Sequence, residues 1–475
     1  MKEYKLTEKL RKRKPKIKMY LNTIRNGILL FCLLLTHLTF SQDNENNTAY
    51  SLEECVEFAL KNALAVKNAY IDMQSADASV NEIRADGLPQ ITGQVQLIDN
   101  YNLQTTFLPA IFFDENATDD DPAVPVKFGV RYSGNASVTL NQLIFDGTFF
   151  LGLRAAKTYK EMAQKNMERT KIETVEAISK AYYGALINEE RLALAEENYN
   201  RLDTLLKQTT AMYENGFSEK IDVDRIRVNM NNAKTQLSNL KQMHDLSIIL
   251  LKFQMGMDMN EPVELEGDIS DIQLDLLEVQ SIDNFDFNKR IEYSLNKTQM
   301  ELDQLNIKRY KVGYYPSLYA FTSLGANAGV ESRGELFKVG DNWFSNGNYG
   351  LTLNIPIFDG LRKKYQIEQA RLSLIKTENT GLNLEQMIIT EYTQAQVNLE
   401  SNVNILESEN ENMELAEEIY KVTNIKYQEG VGSSFELVDA ETSLTQAQTN
   451  YYNALYNALI AKIDYLKAIG ELGSE

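Results

Sequence analysis

The sequence predicts a mixed α+β membrane protein, with two tandem repeats that supply four strands to a shared β-barrel and continue as very long packed helices. Three observations predict it. The chain repeats its own motifs, short segments alternate apolar and polar residues, and proline-free helical stretches run for dozens of residues. Residues 141–147 read NQLIFDG and residues 354–360 read NIPIFDG; residues 212–216 read MYENG and residues 426–430 read KYQEG. The offset is 213 at Asp146/Asp359 and 214 at Gly216/Gly430 and at Gly256/Gly470. It is 227 at Pro89/Pro316, because the first copy carries the longer loop. Duplication this regular implies two quasi-equivalent units in one architecture, which overrides the two or three domains that 475 residues would otherwise suggest.

Residues 1–41 read as a secretory signal peptide. Ten Lys/Arg between Lys2 and Arg25 precede an apolar run at 28–35, and Thr39 and Ser41 form a small-residue exit before Gln42. The apolar core is too short to span a bilayer comfortably. Met19 is an alternative start. Cys32 lies inside the apolar run rather than at the cleavage point, so a lipoprotein is not indicated. Removing the leader, with its ten basic and two acidic residues, takes the formal charge from −19 to −27. Such acidity argues against nucleic acid and anionic lipid as partners. One cysteine, Cys55, and one histidine, His244, remain, so no intrachain disulfide is expected.

The first repeat spans 42–256 and the second 284–475, with an acidic linker at 257–283. Residues 52–86 read as one helix, with apolar Val56, Leu60, Ala63, Leu64 and Ile71 at spacings of three, four and seven. Pro89 ends it. Residues 91–97 alternate as a strand, 102–127 read as a polar loop with an acidic run at 119–121, and 130–140 alternate again. A proline-free helix follows Asp146 to about Glu214, and a second runs from about Lys220 to Met255. The cycle then restarts: a helix at 287–312, a strand after Pro316, a loop at 327–348, a strand at 349–355, and helices at 361–428 and 434–469.

Helices of this length cannot bury a face inside a sphere, so they must pack along one another. The strands have the length and alternation of transmembrane barrel strands. A soluble sheet with one wet face alternates too, but export and the attached long helices argue against it. Four strands cannot close a membrane barrel, which needs about eight or more, and an open edge is not tolerated in lipid. The chain must therefore share a barrel with identical chains, and three would give twelve strands.

NIPIFDG after an alternating strand, and YQEGVGSSFELVDAETSLTQAQTNYYNALYNALIAKIDYLKAIG at 427–470, resemble the TolC-like outer-membrane efflux protein family. The resemblance covers essentially all of residues 50–472, in both repeats, through the order helix, Pro, strand, loop, strand, FDG, long helix, YxxG turn, helix. It implies a homotrimer with a twelve-stranded barrel in the outer membrane of a Gram-negative bacterium. A hollow barrel of α-helical coiled coils would project into the periplasm. The implied activity is passive conduction of cargo handed over by a periplasmic adaptor protein and an inner-membrane pump, as in multicomponent efflux or type I-like secretion. The alternative is a secreted or periplasmic coiled-coil scaffold or adhesin without a pore.

By the same resemblance, Glu436 and Asp439 match acidic positions that line the periplasmic entrance; three apart, they share a helix face and in a trimer would form a ring that attracts cations. Asp222 is the first-copy counterpart of Glu436. Tyr427 matches a gate-latching tyrosine whose cationic partner position falls on Gly432, so the familiar latch is not available. Gly216, Gly430 and Gly432 mark exposed tips that would meet the adaptor; the first two also supply left-handed turns after helices. Gly147 and Gly360 mark strand-to-helix bends. The acids at 114–121 lack an EF-hand pattern and read as a solvated loop. Trp343, Phe344 and Tyr349 read as interfacial aromatics or as loop packing. No catalytic constellation, cofactor or metal site is predicted.

Overall fold

The computed structural model describes residues 49–118, 120–267, 269 and 285–473. The expected signal peptide, Asp119 and most of the expected linker lie outside them. Ser51–Glu475 forms one unit.

Helix α1 (Leu52–Asn62) opens with a reciprocal capping box between Ser51 and Glu54, which satisfies two otherwise orphaned amides. The single helix expected over 52–86 is broken at Ala63, whose backbone is extended (φ −56°, ψ 131°), and α2 (Leu64–Ala85) follows. Alanine is the best helix former, so the break comes from outside the segment. The backbone of Gly256 lies against Asn62 and Ala63. The second repeat breaks at the equivalent place: a 3-10 turn at Phe287–Lys289, extended Arg290 (φ −88°, ψ 120°), then α5 (Ile291–Val312).

The two longest helices each leave a strand. Asp146 accepts from Thr148 N (2.7 Å) and Oγ1 (2.6 Å) and caps α3 (Gly147–Glu214), 68 residues or roughly 100 Å long at 1.5 Å per residue. In the second copy, Gly360 (φ 68°) and Leu361 (φ 67°) are both left-handed before α6 (Arg362–Gln428). The two bends therefore use their glycines differently. Gly147 is the first helical residue, and a Cβ there would meet Val312 Cγ1 at an impossible 2.1 Å; Gly360 supplies a backbone turn in open space. Helix α4 (Lys220–Met255) pairs with α3, and α7 (Ser434–Ile469) pairs with α6. Both end on a left-handed glycine, Gly256 (φ 71°) and Gly470 (φ 76°). The next amide returns to a carbonyl five residues back, Met257 to Lys252 and Glu471 to Leu466, as in a Schellman stop.

Buried alanines at 454, 458, 461 and 468 bring α7 close to its neighbours, around a cluster of Tyr392, Leu399, Tyr465 and Ile469. The α3–α7 seam is polar instead. Glu176 accepts from Lys180 (2.8 Å) and Lys467 (2.6 Å), Lys180 also pairs with Asp464 (2.6 Å), and Arg201 pairs with buried Glu441 (2.9 Å).

Strands β1 (Gln90–Asp99), β4 (Tyr132–Phe145), β5 (Ser317–Val330) and β6 (Trp343–Asn354) form one antiparallel sheet in the order β1-β4-β5-β6. All four are longer than expected. Strands β5 and β6 run on into the Gly- and Asn-rich stretch expected as loop. The expected loop at 102–127 contains a hairpin of β2 (Thr105–Leu108) and β3 (Val124–Lys127). Trp343 belongs to loop packing: Nε1 donates to Leu336 O (2.9 Å), and the ring packs on Ala328, Val330 and Leu336. Phe344 and Tyr349 are exposed.

Candidate functional site

Registry sorts the sheet into two faces, because directly opposed residues in antiparallel strands point the same way. Ile91 opposes Leu140, Val95 opposes Ala136, Val138 opposes Leu324, and Ala320 opposes Leu351. That face is mostly apolar across all four strands, with Asp99, Gln142, Thr322 and Ser345 as its polar members, yet Val95 is 73% exposed, Leu324 67% and Leu351 70%. The other face carries Thr92, Gln94 and Gln96, then Asn135, Ser137 and Thr139, then Ser323 and Asn327, then Asn346 and Asn348. Its side chains bond to one another: Asn135 Nδ2 donates to Asn327 Oδ1 (2.6 Å), and the Thr139 and Ser323 hydroxyls are 3.1 Å apart. The polar face of these strands bears no ionised side chain. A bare apolar face backed by a wet one suits hydrocarbon on one side and water on the other. Among the described residues, no helix is long and apolar enough to cross a membrane.

The turns joining α3 to α4 and α6 to α7 are the far ends of the long helices. Gly216 (φ 79°) and Gly430 (φ 75°) take the left-handed conformation there, with open space around them. Each is followed by a bare apolar residue, Phe217 at 80% exposure and Val431 at 79%. Four residues further on, Ile221 and Phe435 are also exposed. This matched quartet was missed in the sequence, although the shared offset of 214 was the signal that could have found it. Gly432 N donates to Lys426 O (3.0 Å), tightening the second turn.

Glu436 and Asp439 are both exposed on the first turns of α7. Glu436 has a local task as well. Its amide donates to Ser433 Oγ (3.2 Å), and its carboxylate accepts from the Ser433 amide (3.5 Å) in a capping box. Asp222 is less free. Ser434 Oγ donates to its Oδ1 (2.5 Å), Ser218 Oγ (3.1 Å) and Glu219 N (3.3 Å) donate to its Oδ2, and Arg225 Nη1 lies 3.4 Å away. The Ser434 hydrogen bond, with those from the Glu219 amide and Ser218 and the Arg225 charge, holds its carboxyl below the usual carboxylate range, against its burial. Arg225 also donates to Ser434 Oγ (3.3 Å) and lies over the Phe435 ring. This cluster ties the start of α4 to the start of α7, one repeat to the other.

Tyr427 is buried, and its hydroxyl lies 2.9 Å from Thr209 Oγ1, itself fully buried. Its partner in this chain is thus a hydroxyl on α3, and a cation bonded across the tip, to Ser434, is Arg225 on α4. Neither was legible in the sequence.

The model of the family described as outer membrane efflux protein matches residues 56–256 and 293–471, most of the chain and both repeats. The chain belongs to the outer membrane efflux protein family. Among curated relatives, a probable efflux pump outer membrane protein of Pseudomonas putida, TtgC, is 22% identical over 352 residues, covering 72% of this chain and 69% of the relative. The outer membrane protein TolC of Escherichia coli is 20% identical over 463 residues, covering 93% and 86%. Among solved structures, the Campylobacter jejuni CmeC outer membrane channel superposes with a TM-score of 0.69 at 17% identity, covering 91% of this chain and 90% of that one. The open state of the Neisseria gonorrhoeae MtrE outer membrane channel gives 0.69 at 15% identity, covering 89% of each.

The fold read from the sequence is therefore the channel fold of this family. As an outer membrane efflux protein, the chain places its sheet in the outer membrane and its helices in the periplasm, and its activity is export.

Proposed function

We propose that three copies of this chain close a twelve-stranded barrel, and that the α3–α4 and α6–α7 tips form its periplasmic entrance. The observation that carries this reading is the two-faced sheet with open edges at β1 and β6. Strand directions alternate along the sheet, so β6 of one copy meets β1 of the next antiparallel and the pattern closes without a break. The apolar faces then turn to lipid and the Thr/Ser/Asn/Gln faces to a water-filled bore.

At the tips, Glu436 and Asp439 from three copies place six carboxylates around the opening. The exposed Phe217, Ile221, Val431 and Phe435 beside Gly216, Gly430 and Gly432 offer apolar contacts to the periplasmic adaptor, which brings cargo from the inner-membrane pump. The α3–Tyr427 contact and the Asp222–Ser434–Arg225 cluster hold neighbouring hairpins together when the entrance is at rest. The duct conducts passively and carries out no catalysis.

The test uses the full chain with Cys55→Ser, a cysteine scanned along β1 around Gln94, and a second scanned along β6 around Asn348. Oxidation in outer-membrane preparations is expected to yield a covalent trimer only where both cysteines are present and in register. Absence of an intersubunit crosslink at every pairing would overturn the shared barrel.

A further inference from the structure

A cavity of about 130 Å³ lies between α3, α4 and α7, within a single chain and away from the tips. Its walls include Leu194 and Asn198 from α3, Ala233 and Leu240 from α4, and Thr449 from α7, with Arg191 at one end. An engineered apolar cavity of about 150 Å³ takes a benzene ring, so this one has room for a small organic molecule.

Two polar groups on its wall lack full partners. Arg191 Nη2 donates to Asn453 Oδ1, but its Nε is buried with no hydrogen-bond partner within the chain. Asn198 Nδ2 donates to Thr445 Oγ1 (2.8 Å), while its Oδ1 is buried without one. Buried polar groups are normally satisfied, and leaving one unpaired costs about 1–3 kcal/mol. Arg191 also differs from the other α3 cations along this seam. Lys180 and Arg201 each face a carboxylate of α7, Asp464 and Glu441. Among the described residues, no carboxylate forms an ion pair with Arg191. A protein with 67 acidic residues thus leaves one half-buried guanidinium facing an amide and a cavity. Burial lowers the guanidinium pKa, as expected of a charge without a counterion.

We propose that the cavity binds a small organic anion, a ring-sized carboxylate that meets Arg191 at one end and donates a hydrogen bond to Asn198 at the other. Arg191 and Asn198 are two helical turns apart on one face of α3, roughly 10 Å along its axis at 1.5 Å per residue. A single aromatic ring with para substituents spans that gap through hydrogen bonds at both ends. Leu194, Ala233 and Leu240 cover its apolar body. A carboxylate is preferred over a neutral group because it supplies the charge that Arg191 lacks. The walls come from both repeats, so a bound anion joins α7 to the α3–α4 pair. The site is complete in one chain and does not depend on how chains assemble.

The test measures binding of benzoate, 4-hydroxybenzoate and benzamide to the purified full-length protein in detergent, by calorimetry and saturation-transfer NMR. Benzoate is expected to saturate one site per chain and benzamide to bind at least tenfold more weakly. The 4-hydroxy compound should bind more tightly than benzoate, and Asn198→Ala should erase that difference. Arg191→Gln should weaken benzoate at least tenfold and leave benzamide unchanged. Ala233→Phe, which fills the cavity, should abolish binding of all three while the oligomer on a native gel stays as before. Equal affinity for benzoate and benzamide would overturn the proposal. So would benzoate binding that survives Ala233→Phe, or the lack of saturable binding by any probe.

Discussion

A Cβ on Gly256 would stand 2.8 Å from the carbonyl oxygen of Asn62, so the end of α4 seats directly on the break between α1 and α2. The second repeat makes the same contact: a Cβ on Gly470 would stand 2.7 Å from the carbonyl oxygen of Lys289. Asn62 and Lys289 are 227 positions apart, as are Pro89 and Pro316. The duplication therefore preserves a tertiary junction as well as motifs. The copies differ in how they fill it: small, buried Ala63 follows Asn62, whereas buried Arg290 follows Lys289, anchored on Glu292 (3.1 Å), Glu391 (2.9 Å) and the Ala468 carbonyl (3.2 Å).

Alanine at position 256 or 470 meets two obstacles, a left-handed backbone and a neighbouring main chain that cannot step aside. The first costs about 1–2 kcal/mol and the second about 1–3 kcal/mol. Gly216→Ala meets only the first, since the space around it is open. Denaturant unfolding of the purified protein should show a shift for Gly256→Ala and Gly470→Ala at least twice that for Gly216→Ala. Equal shifts would mean that the junction contributes nothing.

Tyr427→Phe removes one end of the buried bond to Thr209 and leaves that hydroxyl alone. The expected cost is about 1–3 kcal/mol, with a larger resting conductance in planar bilayers. Thr209→Val should act similarly, and the double variant should cost less than the sum of the two, because they share one interaction. Strict additivity, or unchanged conductance, removes Tyr427 from the closing device.

Glu436→Gln with Asp439→Asn withdraws the charge and keeps the shape. Glutamine still serves in the capping box, so the start of α7 should stay folded. Each close charge pair is worth about 1 kcal/mol even in water, so block of the channel by multivalent cations should weaken by roughly tenfold or more. Block identical to that of the parent would refute the ring.

Asp222 sets a pH dependence at the tip. Its folded pKa lies below the ordinary 3.8, so its contribution is complete above that value and fades as pH falls through the lowered one. The contact to Ser434 should hold at pH 5 and fail only below about pH 4. Asp222→Asn should show a larger resting conductance than the parent at neutral pH, a difference that persists at pH 5 and vanishes at the acidic extreme. A parent that already behaves like the variant at pH 5 would contradict this.

The repeats, the proline-ended helices and the strand–FDG–helix joints were legible because each is a local pattern. Period two marks Val130 to Leu140 and proline marks the ends at Pro89 and Pro316, whatever lies elsewhere in the chain. The break at Ala63 was hidden, because alanine favours the helix and the cause, Gly256, lies far along the chain. Glycine and asparagine between 327 and 348 read as loop, yet pairing carries both strands well into that stretch. At the tips, the acidic residues and glycines were visible, but Thr209, Ser434 and Arg225 become partners only through the approach of separate helices. Spacing along one helix cannot report contacts made across two.

The free flanks of the sheet set an order of events for biogenesis. A newly exported chain travelling alone carries a greasy surface that water rejects and two ribbon edges that hydrocarbon rejects. It has no stable home on either side of the boundary. Association of subunits must then precede insertion or accompany it, with the rods meeting in the aqueous compartment and the strands entering the bilayer together.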